Sequence, residues 1–169
     1  MILVDVFDRN SPNKTRRVYA ILDDQSNASL ISNELADLLE IKAPREMYHL
    51  TTCSGYKNEK YGRRVSNLSA RSVDGIAMKL HSLIECDSIP GDKHEIPTPE
   101  MARKFHHLRG IASQIPSVDE DAGIHQLLGR DATEFLKVRE FRKESNGSPM
   151  GTKASTRVDN LRSDVPRQR

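Results

Sequence analysis

Several residue types are scarce in this sequence, and each shortage excludes a class of protein. The only two cysteines, Cys53 and Cys86, are too few for a disulfide framework or for a zinc site built on cysteines. No window reaches the ~18 apolar residues of a membrane span, and an acidic residue interrupts the apolar start at position 5. We therefore expect a cytoplasmic chain that has no membrane partner, no metal site and no cofactor.

The chain also has few residues with which to build a large core. Tryptophan is absent, 5% of the residues are aromatic and 30% are charged. A length of 169 residues fits one domain, or one domain with a tail. Among the last twenty-five residues only five are apolar, and glycine, proline and serine recur, which is typical of disorder. These patterns predict a folded domain over residues 1–143 and a disordered tail over residues 144–169.

The tail is basic. Residues 136–169 contain nine Lys or Arg against four Asp or Glu, although the net charge of the whole chain is only +2. A basic tail can contact nucleic acid, so a nucleic-acid partner is one alternative. The absence of aromatic residues after Phe141 and of a dense basic run argues against it.

Apolar patterning predicts a mainly β fold with short helices. The patterns typical of strands cover residues 2–7, 18–22, 48–53, 64–70, 76–86 and 124–128. Polar residues that favour turns predict loops over residues 8–15 and 54–62.

Three short helices are predicted from their capping residues. The first covers residues 34–41 after Ser32 or Asn33, and the second has Thr98 as its N-cap and Pro99 at its first position. The third covers residues 132–139, with Asp131 as its cap.

Two motifs combine apolar strands with residues that can carry chemistry. In the first, the strand that ends at Leu22 delivers Asp23 into a polar loop formed by Asp24, Gln25, Ser26 and Asn27. In the second, about a hundred positions later, an apolar strand is followed by Gly129, Arg130 and Asp131. Between the two motifs, residues 50–65 have the strand–loop–strand pattern of a flap.

This arrangement resembles the retropepsin-like aspartic peptidases, and within them the aspartic peptidase domain of BEL/Pao-type retrotransposon polyproteins. Their pattern is two apolar residues, then Asp, Thr or Ser, Gly, and Ser or Ala, followed later by two apolar residues, Gly, Arg, and Asp or Asn. The resemblance extends over most of the chain, from about Ile2 to Glu140. The stretches that carry it are residues 20–27, 52–55, 62–64, 83–86, 95–100 and 128–131.

The resemblance implies a small closed β-barrel with one lobe per chain and one catalytic aspartate, Asp23. Two copies would form a homodimer in which the two carboxylates share a proton and hydrolyse peptide bonds of a polyprotein. Flap residues, among them Ser54, Gly55 and Gly62, would cover an extended peptide. Arg130 would be structural, with Asn27 as its partner.

Three features depart from the family pattern. Gln25 stands where the family has glycine, and Asp24 stands where it has Thr or Ser, whose hydroxyl cross-links the two loops. The polar segment over residues 142–169 replaces the apolar, strand-like sequence with which the family continues.

These departures leave several alternatives open. Asp23 and Asp24 also fit a simple turn after a strand. If the motif is aligned one position later, Asp24 and not Asp23 is the catalytic aspartate. An inactive dimerisation or peptide-binding module, or a fragment that lacks a terminal strand, is the alternative to an active peptidase. Cys53 and Cys86 are expected to be small packed side chains, and His106 and His107 are not expected to share a metal.

Overall fold

The structure is a computed structural model that describes residues 1–51, 57–73, 75–142 and 151–154. Most of its regular structure is β. Eleven strands are described: β1 (Ile2–Asp8), β2 (Ser11–Leu22), β3 (Leu30–Ser32), β4 (Arg45–Thr51), β5 (Lys57–Val65), β6 (Leu68–Ser72), β7 (Ala77–Lys79), β8 (Leu83–Cys86), β9 (Ile124–Leu128), β10 (Val138–Arg142) and β11 (Gly151–Ala154).

Nine of these strands form one sheet, in the order β4-β5-β8-β3-β9-β2-β1-β6-β7. The central strand β9 lies parallel to β2 and antiparallel to β3, so it separates two strands that are close in sequence. In the part of the chain that is described, β4 and β7 are the two edges and the sheet does not close on itself. The predicted mainly β class is therefore confirmed, whereas the closed barrel is not.

Strands are longer than predicted where the sequence is polar. The predicted loop over residues 8–15 is a tight turn at Arg9 and Asn10, after which β2 begins at Ser11. The predicted loop over residues 54–62 is also wrong in part, because residues 57–62 belong to β5 and place Gly62 in a strand. Ser54, Gly55 and Cys53 lie outside the described residues. Exposed strands of this kind have no apolar alternation, which is why the pattern does not reveal them.

Two predicted strands are each divided in the structure. The strand expected over residues 64–70 ends at Val65 and resumes as β6, with Asn67 at a φ of 71° between the two parts. The strand expected over residues 76–86 is divided into β7 and β8. Of the tail for which disorder is predicted, the structure describes residues 151–154, which form β11 and pair with β10.

The helices are α1 (Asn33–Leu38), α2 (Pro99–Lys104) and α3 (Thr133–Leu136), with 3-10 turns over Lys93–Glu95 and His106–Gln114. Ser32 is the N-cap of α1, because its Oγ accepts the Leu35 amide at 3.1 Å, and Thr98 caps α2 as predicted. The predicted cap of the third helix is wrong: Ala132 precedes α3 with no side-chain cap. The carboxylate of Asp131 is used elsewhere, as described below.

The main core lies on one face of the sheet. Alternation along β1 and β2 places their apolar side chains there, and α1 and α3 cover them. Its members include Val4, Val6, Val18, Ala20, Ile31, Leu35, Val65, Leu83, Leu128 and Phe135. A smaller cluster on the opposite face contains Leu3, Tyr19, Ile96 and Ala122. Strands β1 and β2 are thus packed on both faces.

One part of the sheet extends beyond both clusters. We call it the β4–β5 arm: strand β4 together with residues 57–63 of β5. The two strands pair from Arg45 opposite Arg63 to Thr51 opposite Lys57, and every residue of β4 except Tyr48 is exposed. The arm is therefore held to the molecule mainly at the end that contains Gly62 and Arg63.

One polar side chain is fully buried against the main core. Gln126 of β9 is fully buried, and neither its Oε1 nor its Nε2 has a hydrogen-bond partner among the described residues. Its neighbours in the sheet register are Ala20 and Ile31, both members of the main core. An amide buried without partners destabilises the folded state, because it loses its bonds to water without replacement.

We predict that Gln126→Met stabilises the protein. Methionine is close to glutamine in size and removes both unpaired polar atoms, so the free energy of unfolding should rise by about 1–2 kcal/mol. Denaturant unfolding of the variant and the wild type measures the difference. Gln25→Met, at an exposed position, is the matched control and should change stability by less than about 0.5 kcal/mol. A loss of stability in Gln126→Met would contradict the prediction.

Candidate functional site

The connection between β2 and β3 carries the first motif. Because β9 lies between these two strands, residues 23–29 must cross its end, and the amide of Asp23 donates to the carbonyl oxygen of Leu128 at 3.0 Å. Asp23 is half-buried, and its Oδ1 accepts the Gln25 amide at 2.9 Å. This is the geometry of an Asx-turn, which fixes the carboxylate against its own loop.

The second motif packs directly onto this connection. The amide of Arg130 donates to the carbonyl oxygen of Ser26 at 3.0 Å, and the Gly129 amide donates to Ser29 Oγ at 3.1 Å. The two motifs lie about a hundred positions apart in the sequence and are predicted to act together. In the structure they are in hydrogen-bond contact.

A buried serine makes the strongest link between the two loops. Ser29 is 2% exposed. Its Oγ donates to Asp131 Oδ1 at 2.6 Å and its amide donates to Oδ2 at 3.1 Å. Both oxygens of one carboxylate are therefore used to hold the first loop, and such charge-assisted bonds are the stronger kind. Ser29 was not among the sequence-predicted site residues, although a serine six positions after the aspartate is visible in the sequence.

Glycine is required at position 129 by the closeness of the two backbones. A Cβ built there would lie 2.8 Å from the carbonyl oxygen of Ala28 and 2.9 Å from that of Ser26. Such distances to backbone atoms leave no room for a side chain.

Arg130 and Asn27 are in contact at the exposed side of the two loops. A guanidinium nitrogen of Arg130 donates to Oδ1 of Asn27, the partner that the family resemblance implies. Asp24 and Gln25, by contrast, are exposed at the tip of the turn. Asp24 makes no side-chain link to the second loop in the described part of the chain, and Ser29 with Asp131 supplies that link.

The other residues considered from the sequence lie elsewhere. Cys86 is in β8, and burial, aided by the charge of Asp87, raises the pKa of its thiol to about 11, so it is not a thiolate at neutral pH. His106 and His107 begin a 3-10 turn, where Phe105 packs against the ring of His107. The described residues contain no group of three side chains able to hold a metal ion.

A serine–histidine pair also occurs, and the sequence does not reveal it. Ser32 Oγ lies 2.9 Å from Nδ1 of His125, on neighbouring strands of the sheet. Ser32 is buried and its Oγ already accepts the first-turn amide of α1, so the pair caps a helix and does not present a nucleophile to solvent.

The most buried charge in the described residues is Glu85 of β8, whose side chain is only 3% exposed. Its Oε2 accepts from Nε of Arg63 at 2.6 Å and from the Arg63 amide at 2.8 Å, and its Oε1 accepts from Arg45 at 3.0 Å. Arg63 also donates to the carbonyl oxygen of Ile41 at 2.9 Å and to Asp37 at 2.5 Å. The sequence shows these residues only as isolated charges.

These contacts determine the ionisation of Glu85. Burial alone would raise the pKa of Glu85, but the hydrogen bonds from the side chain and backbone of Arg63, with the charges of Arg63 and Arg45, lower it below the ordinary glutamate value. The hydrogen bond to Glu85 in turn raises the pKa of Arg63. The pair is therefore ionised at neutral pH.

No protein-family model, curated protein or solved structure matches the chain significantly. None of the helices in the described segments has the length and apolar character that crossing a membrane requires.

We predict that Ser29→Ala destabilises the protein by about 2 kcal/mol, since it leaves the Gly129 amide unpaired and removes a bond to the Asp131 carboxylate. Denaturant unfolding measures the change. Ser88→Ala, at an exposed position, is the control and should have little effect. Equal stability of Ser29→Ala and the wild type would contradict the assigned link between the loops.

We also predict an acid-dependent contribution from Glu85. Because folding lowers its pKa, Glu85 stabilises the protein fully above the unfolded-state pKa of about 4.3, and this contribution is lost as the pH falls through the lower folded-state value. The stability difference between the wild type and Glu85→Gln should be constant at neutral pH and shrink below about pH 4.3. Denaturant unfolding at several pH values measures it.

Glu46→Gln is the matched control for that series. Glu46 pairs with Arg64 at 3.3 Å, and both side chains are exposed, so its removal should change stability little at any pH. A Glu85→Gln difference that stayed constant down to pH 3 would contradict the assignment.

Proposed function

We propose that the chain is a retropepsin-like aspartic endopeptidase domain of the retroelement type, which works as a homodimer with Asp23 as its catalytic residue. The observation that carries the proposal is the hydrogen-bonded contact between the Asp23 loop and the Gly129–Arg130–Asp131 loop. Two sequence motifs that this family uses together are distant in sequence, and their meeting at the end of β9 supports the resemblance.

The chemistry follows from bringing two half-buried carboxylates together. The described residues contain one such loop, so a second copy of the chain supplies the second Asp23. Two close carboxylates do not both ionise easily and share one proton. One carboxylate then takes a proton from the attacking water, while the other donates to the carbonyl oxygen of the peptide bond. This scheme requires neither a metal nor a cofactor.

In this proposal the open nine-stranded sheet is one lobe of the dimer. The substrate is an extended segment of a polyprotein, and the β4–β5 arm is the element corresponding to the flap. The exposed apolar side chains of Met47 and Tyr61, which face each other across the arm, offer contact surface for such a segment.

A second candidate function is an inactive dimerisation or peptide-binding module with the same fold. The exposure of Asp24 favours the peptide-binding form of this module, because dimerisation through the loops would bring four carboxylates, two of Asp23 and two of Asp24, near one axis. Like charges at that spacing oppose association unless some are protonated or paired.

The first test is peptide cleavage by the full chain and by two variants of the same loop. We expect wild-type cleavage of a mixed peptide library between acidic and neutral pH, read by mass spectrometry and blocked by a statine-type inhibitor. Asp23→Asn should lower kcat/KM at least ~100-fold, because it removes a general acid–base group. Asp24→Asn, one position away on an exposed side chain, should retain cleavage.

Other outcomes separate the alternatives. If Asp24→Asn loses cleavage and Asp23→Asn keeps it, the catalytic residue is Asp24. No cleavage by a folded, dimeric wild-type chain overturns the peptidase and supports the inactive module. Sedimentation equilibrium gives the oligomeric state, and a chain that stays monomeric at high concentration contradicts the proposed homodimer.

A further inference from the structure

The β4–β5 arm has little backbone connection to the rest of the sheet. Among the described strands, its outer strand, β4, pairs only with β5. Strand β5 in turn pairs with β8 at two positions, Arg64 opposite Ile84 and Val65 opposite Leu83. Within the segments that the structure describes, residues 57–63 therefore have no ladder partner other than β4. Backbone hydrogen bonds alone would leave the arm attached along one short edge.

The side chains of Arg63 and Glu85 add the main further attachment. Arg63 is the last residue of the arm, and Glu85 lies on the strand next to it. The side chain of Arg63 is 13% exposed, and its guanidinium reaches three parts of the molecule: the carboxylate of Glu85, the carbonyl oxygen of Ile41 and the carboxylate of Asp37. Arg45, the first residue of β4, reaches the same carboxylate. Both strands of the arm are thus bound to one buried anion.

The backbone packs tightly at the same point. A Cβ built on Gly62 would lie 2.3 Å from the carbonyl oxygen of Glu85 and 3.1 Å from the ring of Tyr48. Two further charged contacts of the arm are described, Lys60 with Asp87 and Glu46 with Arg64, and in both pairs the side chains are largely exposed and contribute little. In the described residues, the strong contacts of the arm are concentrated at Arg45, Gly62 and Arg63.

We propose that the buried Arg63–Glu85 pair is an anchor that fixes the position of the β4–β5 arm, and that breaking the pair releases the arm as a unit while the rest of the sheet stays folded. The inference goes beyond the proposed peptidase function, because it concerns the attachment of the arm and needs no substrate. Removing the Glu85 carboxylate leaves the largely buried Arg63 with the carboxylate of the exposed Asp37 and the carbonyl oxygen of Ile41 as its remaining described partners, and movement of the arm lets Arg63 reach solvent.

Hydrogen–deuterium exchange at neutral pH tests the proposal. Peptides that cover residues 45–51 and 57–63 report on the arm, and peptides from β1 and β2 report on the rest of the sheet. In Glu85→Gln we expect arm amides to exchange at least ~10-fold faster than in the wild type, and to remain faster than those of β1 and β2. Glu46→Gln removes an exposed carboxylate from the same arm and is the control; its arm amides should exchange within about twofold of the wild-type rate.

Two results would overturn the proposal. Arm exchange in Glu85→Gln within twofold of the wild type would show that the pair does not restrain the arm. A single common rate for the arm, β1 and β2 would show that the pair supports the whole fold and not the arm in particular.

Arg45→Gln keeps the test decisive if Glu85→Gln fails to fold. Arg45 is 61% exposed and supplies one of the bonds to Glu85, so the variant keeps the Arg63 contacts. A smaller acceleration, about threefold and confined to the arm, is expected because one exposed donor is lost. Equal acceleration throughout the sheet, or no acceleration in the arm, would contradict the anchor.

Discussion

The pairing of β9 between β2 and β3 is the constraint on which the candidate site depends. Two strands joined by residues 23–29 are held apart by a third strand, so their connection has to pass over the end of that strand. The chain leaves β9 at Leu128 and meets the connection at once, backbone against backbone, where a side chain at position 129 would not fit. The positions of Asp23, Ser29 and Asp131 follow from this crossing.

Two buried polar side chains flank the same apolar residue and differ in how they are satisfied. In the sheet register, Ile31 lies between Gln126 of β9 and Glu85 of β8. Glu85 is ionised and all its strong contacts come from one direction, from Arg63 and Arg45. Gln126 has no partner among the described residues. The charged group is therefore the better accommodated of the two, because several donors offset the desolvation of the carboxylate, whereas no described partner offsets that of the amide.

The sequence predicts the buried parts of this molecule better than its exposed parts. The strand ending at Leu22, strand β9 over Ile124–Leu128 and the Thr98 cap are all visible, because apolar runs and capping residues have local signatures. Residues 57–63 of β5 contain one large apolar side chain, that of Tyr61, so alternation cannot indicate this strand. Asp131 looks like a helix cap in the sequence, but tertiary contact with Ser29 uses its carboxylate instead. Contacts across a hundred positions, such as this one, have no local pattern.

The position of β9 in the chain also affects how the protein is made. Leu22 of β2 pairs with Leu128, so the partner of an early strand is synthesised last among the strands of the large sheet. At the usual elongation rate the ribosome needs about 5–20 s to add the intervening hundred residues. During that interval the β1–β2 hairpin can form, but the edges of β2 and β3 that will receive β9 stay unpaired. The nascent chain is then most exposed to association with other chains, and formation of the Asp23 loop waits until translation has passed residue 131.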